Sequence, residues 1–93
     1  MPKLTEQEIA ERLSVLSGWK GEGNAIRKSF NFAKFADGIR FVDRVALAAD
    51  AMDHHPDVDI RYTTVTMVLS THSAGGLTRK DFELAGKIDA AAR

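Results

Sequence analysis

The stretch DAMDHHPDVDIRYTTVTMVLSTH, residues 50–72, decides the fold and contains all three histidines of the chain. Apolar side chains recur there at every second position in two runs: Val58, Ile60 and Tyr62, then Val65, Met67 and Leu69. This period is typical of half-buried strands. We predict a hairpin that reverses at Thr63-Thr64, with one long bent strand as the alternative, because that turn contains neither Gly nor Asn.

The histidines flank this hairpin. His54 and His55 precede its first strand, and His72 follows its second. With the chain reversing at Thr63-Thr64, antiparallel pairing places His55 opposite His72. A register slipped by two residues is the open alternative, and Pro56 weakens pairing at that end. We therefore expect the three imidazoles to lie around a common cleft.

Periodicity and capping signals outline the remaining elements. A capping box of Thr5 and Glu8 predicts a first helix over about 5–16, and a strand is expected from Trp19 to the turn cluster at 21–24. The other expected elements are a strand at 25–32, a helix at 35–53 and a helix at 79–92. Lys28 interrupts the apolar side of its strand. Gly38 lies inside a helix, which close approach of another backbone would explain.

Composition limits the function. The 93 residues fit a single domain, 1–93, and the absence of cysteine excludes disulfides and thiolate metal sites. Thirteen basic and thirteen acidic residues give a formal net charge of zero, which argues against nucleic acid or an anionic membrane as partner. No apolar run approaches ~18 residues, and the N-terminus has no signal-peptide pattern. We expect a cytoplasmic protein that does not enter membranes.

Three interpretations of the histidines remain open on spacing alone. His54 and His55 could be solvated side chains beyond a helix C-terminus, where the macrodipole favours a cation. A zinc site of three imidazoles is the second, although adjacent histidines diverge in a strand and no i, i+4 pair is present. Acid–base catalysis is the third, because imidazole titrates near ~6.5. We expect no bound metal.

A series of residues at fixed intervals carries a resemblance to a known family: Asp50, His54-His55-Pro56, Tyr62, His72 and Asp81. LSTH at 69–72, GGLTRKDFELA at 75–85 and Gly18-Trp19 add to it. The chain resembles the pterin-4a-carbinolamine dehydratases from Leu4 to about Ile88. The resemblance implies an α+β fold, in which a four-stranded antiparallel sheet carries three helices on one face. This agrees with the order α-β-β-α-β-β-α that the periodicity and capping signals predict.

The resemblance also implies an activity, the dehydration of 4a-hydroxytetrahydropterin to quinonoid dihydropterin, which recycles the pterin after aromatic amino acid hydroxylation. No metal or organic cofactor is implied, and a homodimer or homotetramer is expected. By resemblance, His54 and His72 form the acid–base pair, and His55 binds and orients the pterin. Many members have glutamate in place of Asp50, and an aromatic residue and an asparagine within the segment 57–61.

Three further residues are candidates for substrate binding, each with a structural alternative. Asp50 stands one helical turn before His54 and can hold its imidazole, or it is an exposed helix acid. Trp19 closes the pocket and stacks on the pterin, or it belongs to the core. Asp81 contributes to the site, or it serves only the start of its helix.

The rival function is a non-catalytic binding or assembly module. The family includes one type that stabilises a dimeric transcription factor. A dehydratase-like branch assists RuBisCO assembly and lacks the active-site pattern. All three histidines are present in this chain, which favours an enzyme.

Overall fold

In a computed structural model of the chain, which describes residues 2–93, the helices and strands follow the predicted order α-β-β-α-β-β-α. Their bounds are α1 Glu6–Ser14, β1 Lys20–Glu22, β2 Ala25–Asn31, α2 Phe35–Met52, β3 Asp57–Arg61, β4 Thr64–Leu69 and α3 Arg79–Ala91. A short 3₁₀ turn, His72–Ala74, lies between β4 and α3. Within the described residues, no helix has both the length and the apolar character needed to cross a membrane.

The four strands form one antiparallel sheet in the order β1-β2-β4-β3. On one face, Ile26 pairs with Leu69 and Phe30 with Val65, and all four side chains are buried. The buried side chains of α2 and α3 complete the core on that face: Phe41, Val45, Ala49, Phe82, Leu84, Ala85 and Ile88. The expected α+β fold with helices covering one face of the sheet is confirmed.

The β3–β4 hairpin reverses at Tyr62-Thr63, not at Thr63-Thr64 as predicted. Arg61 pairs with Thr64, so the register is the one slipped by two residues. Tyr62 has a φ of 53°, the left-handed conformation that a tight turn requires and that Gly or Asn usually supplies. Because β3 begins at Asp57 and β4 ends at Leu69, the histidines lie beyond the paired strands.

The β1–β2 hairpin has a tighter turn than expected. Gly21 and Glu22 belong to β1, and the chain reverses at Gly23-Asn24, where Gly23 has a φ of 60°. Glycine adopts this conformation without steric cost, so it permits the short turn. The predicted turn cluster at 21–24 was therefore too long.

Two unusual residues are explained by packing. Lys28 faces the helices because its Nζ donates to Asp89 Oδ1 at 2.8 Å and to the carbonyl oxygen of Ser17 at 2.7 Å. Gly38 is buried, and a Cβ there would lie 3.2 Å from Cγ2 of Val65. The close neighbour of Gly38 is therefore a side chain of the sheet, not the other backbone that the sequence suggested.

Candidate functional site

The helix α2 ends in a way that separates the two adjacent histidines. Asp53 caps the helix with a φ of 51°, and its N–H donates to the carbonyl oxygens of Ala49 and Asp50. The N–H of His54 also donates to Ala49 O, at 3.1 Å. A left-handed residue after the last turn reverses the chain direction. The side chain of His54 consequently contacts α3, whereas that of His55 turns back to α2.

His54 forms a buried pair with Asp81. Its Nε2 lies 2.6 Å from Asp81 Oδ1, and the two side chains are 11% and 0% exposed. The other carboxylate oxygen, Oδ2, accepts the backbone N–H of Thr78 at 2.9 Å and the hydroxyl of Thr71 at 2.7 Å. Asp81 therefore both caps the first turn of α3 and contacts His54, so it serves more than the start of its helix. Its contact with a substrate stays a prediction.

This pairing determines which nitrogen of His54 carries a proton. Oδ2 of Asp81 accepts two hydrogen bonds, and an ionised carboxylate has no proton to donate, so Nε2 of His54 donates to Oδ1. In the neutral ring, Nδ1 then holds the free lone pair. Among residues 2–93, no buried side-chain nitrogen or oxygen lacks a hydrogen-bond partner, and the contact of His54 uses only Nε2. Nδ1 must therefore reach solvent, as a proton-accepting atom at the edge of a mostly buried ring.

His55 forms a second pair of different character. Its Nε2 lies 2.8 Å from Asp50 Oδ1, with the side chains 56% and 75% exposed. The expectation that Asp50 holds His54 is thus wrong, because the left-handed residue at Asp53 ends the helical spacing on which it relied. An exposed pair of this kind typically contributes about 0–1 kcal/mol.

An apolar cavity of about 160 Å³ lies beside His55, between α2 and the edge strand β3. Its lining residues are Val42, Val45, Ala46, Ala49, Asp50, His55, Pro56 and Val58. His54 and His72 do not line it. The common cleft expected around all three histidines is therefore not formed by this cavity, although His55 and Asp50 share its polar end.

His72 lies at the same end of the sheet as the other two histidines. It begins the 3₁₀ turn after β4, and its side chain is exposed. The residue before it, Thr71, forms a backbone bridge with Gly76 and donates its hydroxyl to Asp81. His72 and the His54–Asp81 pair are therefore connected through Thr71.

Trp19 does not reach this site. Its indole is 5% exposed, packs edge-on against Phe30, and donates from Nε1 to the carboxylate of Asp89 at 3.1 Å. The expectation that Trp19 stacks on a ligand is contradicted, because neither face of the ring is open. Trp19 is instead a core residue, which was the alternative.

Within residues 2–93, no three His, Asp or Glu side chains are grouped so that they could hold a metal ion. The rings of His54 and His55 point to different carboxylates, which separates the adjacent imidazoles.

Sequence reasoning missed Thr71 and Thr78 as part of the site. Both hydroxyls belong to the buried network around Asp81, and they lie 3.0 Å apart. A signal was available: the capping pair of Thr78 and Asp81 occupies only one carboxylate oxygen, which leaves the other for a partner. The partner could not be read from the sequence, since it depends on how α2 ends against α3.

Together the fold and site define a small α+β protein with a buried histidine–carboxylate pair suited to acid–base chemistry. The family model described as Pterin 4 alpha carbinolamine dehydratase matches residues 2–91, and the chain belongs to that family.

Two similar proteins agree with this assignment. A protein of Roseiflexus sp. (strain RS-1), provisionally named pterin-4-alpha-carbinolamine dehydratase, is 54% identical over 87 residues, 94% of each chain. A Sulfolobus acidocaldarius protein with the same provisional name is 49% identical over 87 residues, covering 94% of this chain and 96% of the relative.

The crystal structure of a transcriptional coactivator/pterin dehydratase from Brucella Melitensis matches with a TM-score of 0.95 at 39% identity, over 98% of this chain and 99% of that one. A pterin dehydratase-like protein identified as a RuBisCO assembly factor in the alpha-carboxysome matches at a TM-score of 0.65 and 24% identity, over 80% of this chain and 86% of that one. The second likeness is one of fold alone.

Proposed function

We propose that the protein converts 4a-hydroxytetrahydropterin to quinonoid dihydropterin and water, and so recycles the pterin used by aromatic amino acid hydroxylases. The observation that carries the proposal is the buried His54–Asp81 pair, whose free Nδ1 reaches solvent at the sheet end that also bears His72. Membership of the dehydratase family supports the same reaction. The proposed site of action is the cytoplasm.

The reaction requires two proton transfers. The C4a–O bond breaks as the leaving hydroxyl takes up a proton and departs as water. N5 loses its proton, and the electron pair of that N–H bond forms the C4a=N5 double bond. Hydroxide is a poor leaving group, so a positioned acid and a positioned base each lower the barrier, by roughly 10²–10⁴-fold. Neither step requires a metal or an organic cofactor.

His54 is the proposed base. Asp81 accepts its Nε2–H, which leaves Nδ1 free to take the proton from N5. The imidazolium formed is then stabilised by the carboxylate 2.6 Å away. A carboxylate that fixes the tautomer and offsets the charge of the protonated ring is the arrangement used in catalytic triads.

His72 is the proposed acid. His72 is exposed, so its ring exchanges protons readily with solvent. Solvent can therefore restore the proton that the ring gives up in each turnover. Because His72 follows Thr71, its backbone lies close to the hydrogen bonds around Asp81. The ring of His72 takes no part in those hydrogen bonds. One imidazole is thus held as an acceptor while the other is available as a donor.

His55 and Asp50 are the proposed binding pair for the pterin. They border the apolar cavity between α2 and β3, where a flat heterocycle can place its ring against Val42 and Val58. The polar end of the cavity offers an imidazole and a carboxylate to the nitrogen-rich edge of a pterin. The cavity of about 160 Å³ is small for a whole pterin, so this pair would contact only part of the substrate.

The protein is further proposed to act as a homodimer or homotetramer. Apolar side chains are exposed on α2, where Leu47 is 73% and Phe35 is 50% exposed. The edge strand β3 adds Ile60, at 38%. An unpaired strand edge beside apolar side chains favours pairing with a second copy.

The test of the reaction is turnover of chemically generated 4a-hydroxytetrahydropterin by the purified protein and by His54→Gln, His72→Gln and the double variant. We expect each single change to lower kcat by roughly 10²-fold with little change in KM, because proton-transfer contacts act in the transition state. The double variant should lose less than the product of the single losses.

His55→Gln is the matched comparison and should raise KM more than it lowers kcat. Wild-type turnover in the double variant would refute the acid–base assignment. A folded wild-type protein without turnover would favour the binding or assembly module instead.

A further inference from the structure

Thr71 lies at the base of the loop that carries His72. Its backbone N–H donates to Gly76 O at 3.0 Å, and its own carbonyl oxygen accepts from Gly76 at 3.3 Å and from Ala74 at 3.0 Å. The N–H of Gly75, which has a φ of 75°, donates to His72 O at 3.1 Å. The loop from Thr71 to Gly76 is therefore a closed unit, and a shift of Thr71 moves His72 with it.

The hydroxyl of Thr71 extends from this loop into the buried network. It donates to Asp81 Oδ2 at 2.7 Å, which uses its only proton. The contact of 3.0 Å between the hydroxyls of Thr71 and Thr78 must then have Thr78 as its donor. Since Thr78 and Asp81 are both 0% exposed, water cannot readily replace either partner.

From these contacts we infer that Thr71 is a positioning residue that fixes the two proposed catalytic histidines relative to each other. Its backbone sets the His72 loop, and its hydroxyl holds the carboxylate that orients the ring of His54. This inference rests on the proposed dehydratase function. Thr71 itself has no role in proton transfer to the substrate, and it acts through Asp81.

The change Thr71→Val keeps the shape of the side chain and removes the hydroxyl. Asp81 Oδ2 then keeps only the N–H of Thr78, and the hydroxyl of Thr78 loses its acceptor. A carboxylate held by fewer donors lets the His54 ring move away from a productive geometry. A displacement of about 1 Å can reduce a rate by roughly 10²-fold, so we expect kcat to fall roughly ten- to a hundredfold at similar KM.

The experiment compares Thr71→Val, Thr71→Ser and the control Thr66→Val. Thr66 is 5% exposed, and its hydroxyl bonds Ser29 at 2.7 Å on the face of the sheet away from the helices, remote from the histidines. Turnover of 4a-hydroxytetrahydropterin is measured beside the downfield proton NMR signal of His54 Nε2–H, which is assigned by its loss in His54→Gln. Thr71→Val should lower kcat and weaken that signal, and Thr71→Ser should restore both. Thr66→Val should change neither.

Several results would overturn the inference. Wild-type kcat and an unchanged signal in Thr71→Val would do so. Equal losses in the valine and serine variants would do so too, because serine keeps the hydroxyl and the loss would then not follow from its removal. Thr71→Ala replaces the valine variant if that protein does not fold. If even the wild-type protein shows no turnover, the proposed function fails, while the NMR signal still reports whether Thr71 holds the His54–Asp81 pair.

Discussion

The change Asp81→Asn tests the tautomer of His54 with little change of shape. Asparagine offers one accepting oxygen and one donating nitrogen in place of two accepting oxygens. The N–H of Thr78 is a fixed backbone donor, so the amide oxygen must face it and the hydroxyl of Thr71. The amide nitrogen then faces His54 Nε2, which can pair with it only as an acceptor. The proton of the neutral ring must therefore move to Nδ1, the atom that the proposed mechanism uses as a base.

The two expected magnitudes differ greatly. Hydrogen bonds to a charged group contribute about 1.5–3 kcal/mol to stability, and those between neutral groups about 0.5–1.5 kcal/mol. The asparagine amide costs less free energy to bury than a carboxylate does, which offsets part of this loss. We expect the free energy of unfolding to fall by about 1–3 kcal/mol, or Tm by roughly 5–15 °C in a domain of this size. A general base in the wrong tautomer should lower kcat by about 10²–10⁴-fold.

The assay is steady-state turnover of 4a-hydroxytetrahydropterin, with thermal unfolding measured on the same samples. Asp89→Asn is the matched control, since Asp89 is 18% exposed and accepts from Lys28 and Trp19, far along α3 from the histidines. It should lower Tm comparably and leave kcat near the wild-type value. A kcat within about threefold of wild type in Asp81→Asn, or an equal loss in Asp89→Asn, would refute the tautomer argument.

Three further predictions concern metal, assembly and strain. Chelation with EDTA should leave turnover intact and elemental analysis should find no stoichiometric zinc; activity lost with EDTA and restored by zinc would support a metal site. Light scattering at micromolar concentration should report a dimer or tetramer, and a monomer alone would contradict the assembly proposal, while Leu47→Glu should weaken association. Asp53→Gly should raise the free energy of unfolding by about 0.5–1 kcal/mol, because Asp53 is left-handed, and should keep kcat. A loss of kcat there would mean that the carboxylate itself takes part.

The sequence predicted the element order and the end of the sheet at which the histidines lie, because both depend on local signals. Alternation in two runs, with Pro56 after the histidine pair, indicates where α2 stops and the strands begin. The register of the hairpin was wrong because Tyr62 adopts a left-handed conformation that its residue type does not signal. A two-residue change in register keeps every side chain on its face, so the hydrophobic pattern could not detect it.

The partners of the histidines were not predictable, because they depend on tertiary packing. Helical spacing made Asp50 the expected hydrogen-bond partner of His54. Because the chain reverses at Asp53, Asp50 contacts His55 instead. A single tryptophan can belong to the core or to a pocket. The indole of Trp19 donates to Asp89, which is 70 residues away, so the sequence alone could not show which of the two applies. Residues that act through buried contacts between distant elements are the part of a site that spacing does not reveal.

The two histidine–carboxylate pairs differ in a way that favours a division of labour. In the buried pair, both side chains are held by neighbours, so the ring of His54 has little freedom to lose when a substrate arrives. Proton transfer benefits from this, because its rate falls when donor and acceptor are poorly aligned. In the exposed pair, His55 and Asp50 can rotate, and screening by water makes their mutual attraction weak. Such a pair can exchange its internal contact for contacts with a ligand at small cost, which suits binding better than proton transfer.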